Sequence, residues 1–228
     1  MKLQIVVDFA ETLVKERPMI EWVLLELRNK ENLLWWRLCF MISSFASGFM
    51  SIVFGRFQAT GEWAARVAYM NFRGISEKSL ERLINHRREN STYILNLNPE
   101  LISILSTIKR KRDADPSQSL GISIHSQGTC ARAIELFTQR QDVAKSLRWK
   151  GLHVSSIVAN HLEVVDGKFT GRLEGQIITK HSKPRGIPKG SIFIGDSHDE
   201  KAVSKLKERE FEFINCDKGR DDEGKRFS

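Results

Sequence analysis

The chain has 228 residues, 41% hydrophobic and 28% charged, a composition ordinary for a globular protein with one sizeable core or a core plus a small accessory domain. Its three cysteines, Cys39, Cys130 and Cys216, fit neither a zinc motif nor a disulfide framework, so we expect a reducing, cytoplasmic interior. The formal charge of +8 favours an anionic partner, but it does not choose between a phosphorylated metabolite, nucleic acid and an acidic membrane. A strand pattern opens the chain in place of a secretory signal, which fits the same compartment.

The first predicted strand ends in an acidic residue. Residues 5–7 are β-branched and apolar, and Asp8 follows them directly. Open α/β sheets bind ligands just beyond the carboxyl ends of their strands. Because burying the acid within the sheet would be costly, we expect Asp8 to project into a cleft. A plain strand end or helix cap is the simpler alternative.

Residues 18–86 show helical spacing without a strand signal. Within them, residues 33–54 form a long apolar segment with tryptophans at one end. Arg37 and several serines interrupt it, so we favour burial within a helical domain over contact with a membrane surface, and both over a membrane span. Ser76 is predicted to be the N-cap of a later helix.

An alternating strand and helix pattern resumes at about residue 93. A helix is predicted from Pro99, and the basic run 109–112 follows its pattern. We interpret that run as a solvated helix end that complements the helix dipole, not as a nucleic-acid patch, since no aromatic residues interleave with it. The remaining elements are strands over 120–125, 154–159, 191–194 and 211–214, a helix over 129–147, and a hairpin over 161–175 that turns at Asp166-Gly167.

This order predicts a parallel sheet with a helical block inserted after its first strand. Right-handed crossovers would bring the carboxyl ends of the strands to one edge. Asp8, Ser126 and Asp196 each end such a strand. The inserted block leaves from the same edge, so it could cover these residues as a lid.

Four segments carry a resemblance to a known family. They are VVDFAETLV near the start, the strand that ends at Ser126, ANHLEVVDGKFTGRLEG from Ala159, and IFIGDSHDE from Ile192. In this order they resemble the haloacid dehalogenase superfamily, specifically its phosphoserine-phosphatase-like branch. The resemblance implies a Rossmann-like α/β core over residues 1–14 and 92–218, an α-helical cap over 15–91, and a charged tail over 219–228.

The resemblance also implies a magnesium-dependent phosphohydrolase that acts on a small phosphorylated substrate. Asp8 would be the nucleophile and would form an aspartyl-phosphate. Mg²⁺ would be held by Asp8, Asp196 and the backbone carbonyl of Ala10. Ser126 would donate a hydrogen bond to a phosphoryl oxygen, and Gln127 would contact the substrate beside it.

Two further roles have two candidates each. The family's lysine, which neutralises charge on the transferring group, corresponds best to Lys183, with Lys180 as the alternative. Prolines at both ends of residues 184–188 make a helix there improbable, which puts the position of Lys183 in question. The second acid of the fourth motif corresponds to Glu200, and its neighbour Asp199 is the alternative.

Ala10 departs from the family pattern, in which phosphatases carry an aspartate that acts as general acid and base. The substrate would then need a good leaving group, such as an acyl phosphate, or could be a phosphonate, because phosphonate-cleaving members also have alanine there. Glu11 is adjacent, but in an extended chain its side chain would point to the other side. The alternative function is a catalytically impaired protein that binds phosphate or regulates.

The partners follow from these interpretations. We expect a small phosphorylated substrate, which the apolar cap suggests is partly apolar. Contact with a membrane surface through residues 33–54 is an alternative, and nucleic acid is not favoured. Substrate identity and oligomeric state are left open by the sequence.

Overall fold

The computed structural model describes residues 4–14, 58–70, 72–85, 95–112, 119–179, 182–206 and 210–217. The predictions for the apolar segment 33–54, for Lys180 and for the tail 219–228 lie outside these ranges. No helix in the described part of the chain combines the length and the apolar character that crossing a membrane requires.

A six-stranded sheet forms the centre of the described structure, in the order β4-β3-β2-β1-β5-β6. All neighbouring strands are parallel except β3 and β4, which form an antiparallel hairpin. The strands are β1 (Ile5–Asp8), β2 (Leu120–Cys130), β3 (Leu152–Val165), β4 (Lys168–Glu174), β5 (Ile192–Gly195) and β6 (Glu212–Asn215). The predicted α/β fold with a parallel core is confirmed.

The sheet is centred on β1 because its side chains are apolar on both faces. Ile5, Val6 and Val7 are all fully buried. Such a strand is stable only when helices or loops cover both faces, as in doubly wound sheets. Asp8 lies opposite His125 of β2 in the parallel register, so the end of β1 is enclosed by its neighbours.

Two strands are longer than the sequence predicts. β3 combines the predicted third strand with the first arm of the hairpin, so the hairpin extends the sheet and is not a separate unit. β2 continues past Ser126 to Cys130, with a shift of register between His125 and Cys130. Ser126 therefore lies in an irregular segment of β2 and not at its last residue.

The described helices are α1 (Gln58–Met70), α2 (Glu77–Asn85), α3 (Pro99–Arg112), α4 (Ala131–Gln139), α5 (Gln141–Trp149) and α6 (Ser197–Val203). The prediction of one helix over 129–147 is wrong, because Arg140 interrupts it with an extended ψ of 132°. The Arg140 guanidinium donates to Asp142 and to the carbonyl of Leu95, which fixes the break. The helix predicted from Pro99 is confirmed, and it ends at the basic run.

The inserted block leaves the sheet after Val14 and returns through Leu97, and these two residues form a β-bridge. The predicted N-cap is confirmed, since the Ser76 hydroxyl accepts the amide hydrogen of Ser79 at 3.1 Å. Apolar residues of this block share one core with the hairpin and with α4: Tyr69, Phe72, Ile75, Leu80, Ile84 and Phe169. The boundaries of the cap stay predictions.

Candidate active site

The chain turns sharply after Asp8. Residues Phe9–Leu13 form a single wide turn in which Ala10 is extended and Glu11 is left-handed, with φ of 56°. The chain is therefore not extended at Glu11, so the alternation argument about its side chain does not apply. The amide of Val14 donates to the carbonyl of Phe9 at 3.0 Å and closes the turn.

Lys183 joins two carboxylates at the carboxyl edge of the sheet. Its ammonium donates to Asp8 Oδ1 at 2.6 Å and to both carboxylate oxygens of Asp199 at 2.9 Å. Lys183, Asp8 and Asp199 are 4%, 6% and 7% exposed. Asp8 is thus buried with a partner, where the sequence predicted an open cleft. We call these three residues the ion triad.

Lys183 reaches this position from a tight turn. The Thr179 amide donates to the Ser182 hydroxyl at 2.8 Å, and the Ser182 amide donates back to Thr179 Oγ1 at 3.2 Å. The Lys183 amide then donates to the Thr179 carbonyl at 2.9 Å. Only one turn of 3-10 helix, Pro184–Gly186, follows, as the prolines predict. This turn and the short 3-10 helix after it bring Lys183 to Asp8.

Asp196 organises the start of α6. Its Oδ1 accepts the amide hydrogens of His198 at 2.7 Å and Asp199 at 2.8 Å, so it acts as the N-cap of that helix. This cap directs Asp199 toward Lys183. Glu200 instead accepts a hydrogen bond from the Asn215 side chain of β6 at 2.7 Å. Of the two acids that the sequence offers, the structure brings Asp199 into contact with Lys183.

The irregular last part of β2, from Ser126 onward, contains the residues that are predicted to bind phosphate. Ser126 is 1% exposed, and its hydroxyl accepts the Thr129 amide hydrogen at 3.2 Å. Gln127 Oε1 and Thr129 Oγ1 are buried atoms with no hydrogen-bond partner in the described structure. Such atoms are costly unless a ligand or water satisfies them. The Thr129 hydroxyl is therefore a candidate ligand contact that our sequence analysis missed.

Asn160, to which we also assigned no role, holds this segment in place. Its side-chain amide donates to the carbonyls of Gln127 at 2.9 Å and Ile178 at 3.1 Å. Its Oδ1 accepts the Ile178 amide hydrogen at 2.8 Å. Asn160 thus links the Ser126 segment to the turn that carries Lys183. The sequence does carry one signal for this role, because Asn160 is a lone polar residue at the end of the apolar run IVAN.

Burial dominates the electrostatics of the ion triad. It raises the pKa of Asp8 from its ordinary 3.8 to about 7, because the loss of water outweighs the attraction of Lys183, while Asp199 and Asp196 add repulsion. Burial lowers the pKa of Lys183, but the two carboxylates outweigh it and leave that pKa above its ordinary value. Burial, with repulsion from Lys183, lowers the pKa of His125 to about 4.

The charge balance of this site suits a divalent cation. In the described structure the Lys183 ammonium pairs with two buried carboxylates, Asp8 and Asp199, and a third buried carboxylate, Asp196, adds repulsion at Asp8. No group of three or more His, Cys, Asp and Glu side chains in the described ranges forms a metal cage. Magnesium does not need one, because it keeps several waters and takes one or two carboxylates. Asp8, Asp196 and the Ala10 carbonyl stay the predicted donors, and two carboxylates with one carbonyl are oxygen ligands of the kind that magnesium takes.

Comparisons with known proteins agree with this architecture. No protein-family model and no curated protein matches the chain. The structure is similar to a phospho-aspartyl intermediate analogue of phosphoserine phosphatase, at 16% identity over 90% of this chain and 82% of that one, with a TM-score of 0.52. It is also similar to a phosphoserine phosphohydrolase-like protein from Francisella tularensis subsp. tularensis SCHU S4, at 18% identity over 92% and 86% of the chains, with a TM-score of 0.53.

A probable phosphoserine phosphatase from Vibrio cholerae gives a further match, at 15% identity over 89% of this chain and 53% of that one, with a TM-score of 0.50. At these identities the likeness is one of fold. The chain therefore has the fold of these phosphoserine phosphatases, which is the fold that its sequence motifs predict.

Proposed function

We propose that the chain is a magnesium-dependent phosphohydrolase that transfers the phosphoryl group of a small substrate to Asp8 and then to water. The observation that supports this most strongly is the ion triad, a buried carboxylate held by a buried ammonium at the carboxyl edge of the sheet. A purely structural ion pair in this place would be a poor source of stability, since desolvation offsets the attraction. A catalytic role accounts for it better.

In the first step, a carboxylate oxygen of Asp8 attacks phosphorus while the bond from phosphorus to the leaving oxygen breaks. The leaving group departs with the electron pair. Lys183, 2.6 Å from Asp8, is placed to stabilise the negative charge on the transferring group. Asp199 keeps the lysine charged and positioned. Ser126 and Thr129 would donate hydrogen bonds to the phosphoryl oxygens.

In the second step, water attacks the aspartyl-phosphate. The bond between phosphorus and the Asp8 oxygen breaks, inorganic phosphate leaves, and the water proton passes to solvent. Mg²⁺, held by Asp8, Asp196 and the Ala10 carbonyl, would screen the repulsion between the carboxylate and the phosphate.

Ala10 limits the substrates that this site can turn over. A general acid and base typically contributes about 10²–10⁴ in rate, and alanine supplies neither function. The substrates that suit the site therefore have leaving groups that need no protonation, with acyl phosphates first among them.

Phosphate release from acetyl phosphate, in the presence and absence of Mg²⁺, tests the proposal. Asp8→Asn should abolish release, because the amide oxygen is a weak nucleophile. Asp166→Asn is the matched control, since Asp166 is exposed in the hairpin turn at φ 51°, where asparagine is equally acceptable. Equal activity of the wild type and Asp8→Asn would contradict the proposal.

The second candidate is a phosphate-binding protein without turnover, and the observation that favours it is Ala10. In that case the wild type would bind phosphate with Mg²⁺ but release none from any substrate. Ala10→Asp separates the two candidates, because it should raise turnover of alkyl phosphates by about tenfold or more in an enzyme that lacks only the acid. If the substrate is instead a phosphonate, the wild type should release phosphate from it, whereas Ala10→Asp should not.

A further inference from the structure

The amino edge of the sheet, opposite the candidate active site, carries an exposed tryptophan. Trp149 is the last residue of α5 and is 84% exposed, whereas Trp63 of α1 is 44% exposed. An indole has an apolar body and a polar N–H, and such side chains are enriched at protein interfaces and at membrane surfaces.

Basic residues surround Trp149. The ends of α3 and α5 lie together here, because the Lys109 side chain lies directly over Gly151, just after α5. The residues that share this edge are Lys109, Arg110 and Lys111 of α3 and Lys145, Arg148, Trp149 and Lys150 at the end of α5. We call this set the basic edge. Residues 101–112 and 143–151 contain no acid, and Asp142 is bonded to Arg140 at 2.7 Å.

A surface cavity of about 620 Å³ adjoins the indole. Its lining includes Lys145, Arg148 and Trp149 together with the amides of Gln139 and Gln141. Two cations, two amides and one aromatic ring form a lining that suits a phosphate group attached to an apolar chain. The helix dipole explains why cations lie at the ends of α3 and α5, but it does not explain the exposed ring or the cavity.

We propose that the basic edge docks on membranes that contain anionic phospholipid, with a headgroup phosphate in this cavity. Trp149 would lie at the depth of the headgroups, where amphipathic indoles are most stable. The cations would bind the negative surface. A nucleic acid fits less well, because single strands are usually held by several stacking aromatic residues, and the described lining of this cavity has one. The docking does not depend on the proposed enzymatic activity.

Vesicle sedimentation with the full chain tests this proposal. The chain should bind phosphatidylcholine vesicles that contain phosphatidylserine, and bind pure phosphatidylcholine far more weakly. Binding should fall when salt is raised from about 0.1 M to about 1 M, as the Debye length shortens from about 10 Å to about 3 Å. The charge-reversing pair R148E/K150E should weaken binding by about tenfold or more.

Trp149→Ala should weaken binding by about tenfold through lost insertion. The matched controls are Trp63→Ala for the indole and K78E/R82E for the charge, since Lys78 and Arg82 are exposed on α2. Both controls should bind like the wild type. Circular dichroism melting of each variant checks that it is folded.

Three results would overturn the proposal. The first is no binding to anionic vesicles at low salt. The second is an equal loss of binding in the α2 control K78E/R82E, which would show that the attraction depends on the net charge and not on the basic edge. The third is tighter binding to a DNA oligonucleotide than to vesicles, with the same dependence on Trp149 and Arg148, which would identify the basic edge as a nucleic-acid surface.

Discussion

At the carboxyl edge of the sheet Lys183 is 4% exposed and bonded to two carboxylates, whereas at the amino edge Trp149 is 84% exposed among cations. The first edge holds charge that has lost its water and depends on a fixed partner. The second holds charge that is exposed to water, as at Arg148 and Lys150. The same residue type, lysine, thus has opposite energetic roles at the two ends of the parallel strands.

Of the changes that test this comparison, Lys183→Met should have the largest effect on the free energy of unfolding. It leaves Asp8 and Asp199 buried without a counter-ion, and removing one partner of a buried pair costs about 3–5 kcal/mol. Lys189→Met is the matched control, because that lysine is 80% exposed in its pair with Glu210 and should contribute about 0–1 kcal/mol. Urea unfolding of both variants in chelator measures the difference. Similar free energies of unfolding would show that burial does not set the role of Lys183.

A smaller effect separates the two acids of the fourth motif. Asp199→Asn removes the charge that holds Lys183, and we expect phosphate release to fall by about tenfold or more, as for a lost buried charge contact. Glu200→Gln changes an acid that accepts a hydrogen bond from Asn215 of β6, and should leave release within about threefold of the wild type. Initial rates with acetyl phosphate compare them. A larger loss in Glu200→Gln would assign the role to that residue.

The sequence predicts the carboxyl edge well because strand ends follow from apolar runs. Residues 5–7 must form a buried strand, and a parallel topology then brings Asp8, Ser126 and Asp196 to one side. The choice between Asp199 and Glu200 cannot be predicted this way. It depends on the register of α6 after its Asp196 cap, which rotates neighbouring residues to different faces.

The turn after β1 and the amino edge show what else the sequence withholds. The left-handed φ of Glu11 comes from the closed turn over Phe9–Leu13, and no glycine marks it. The basic run at the end of α3 is predicted as a solvated helix end, and it does end that helix. Its association with Trp149 depends on packing between residues about forty positions apart, so local pattern gives no sign of it.

The subtlest test concerns the pH dependence of stability without metal. The pKa of Asp8 is raised from 3.8 to about 7 by burial, so between these values the folded chain holds a proton that the unfolded chain has released. The free energy of unfolding must then fall with rising pH across this window. His125, whose pKa burial lowers to about 4, contributes a rise over part of the same range, so the two effects partly cancel in the wild type.

A comparison of Asp8→Asn with the wild type removes that cancellation, because His125 is present in both. The variant cannot titrate at position 8, so its free energy of unfolding relative to the wild type should increase between about pH 4 and pH 7. Urea unfolding in chelator at several pH values measures this difference, with Asp166→Asn expected to follow the wild type throughout. A constant difference across the window would mean that Asp8 ionises in the folded chain as readily as in the unfolded one. Its pairing with Lys183 would then balance the cost of its burial.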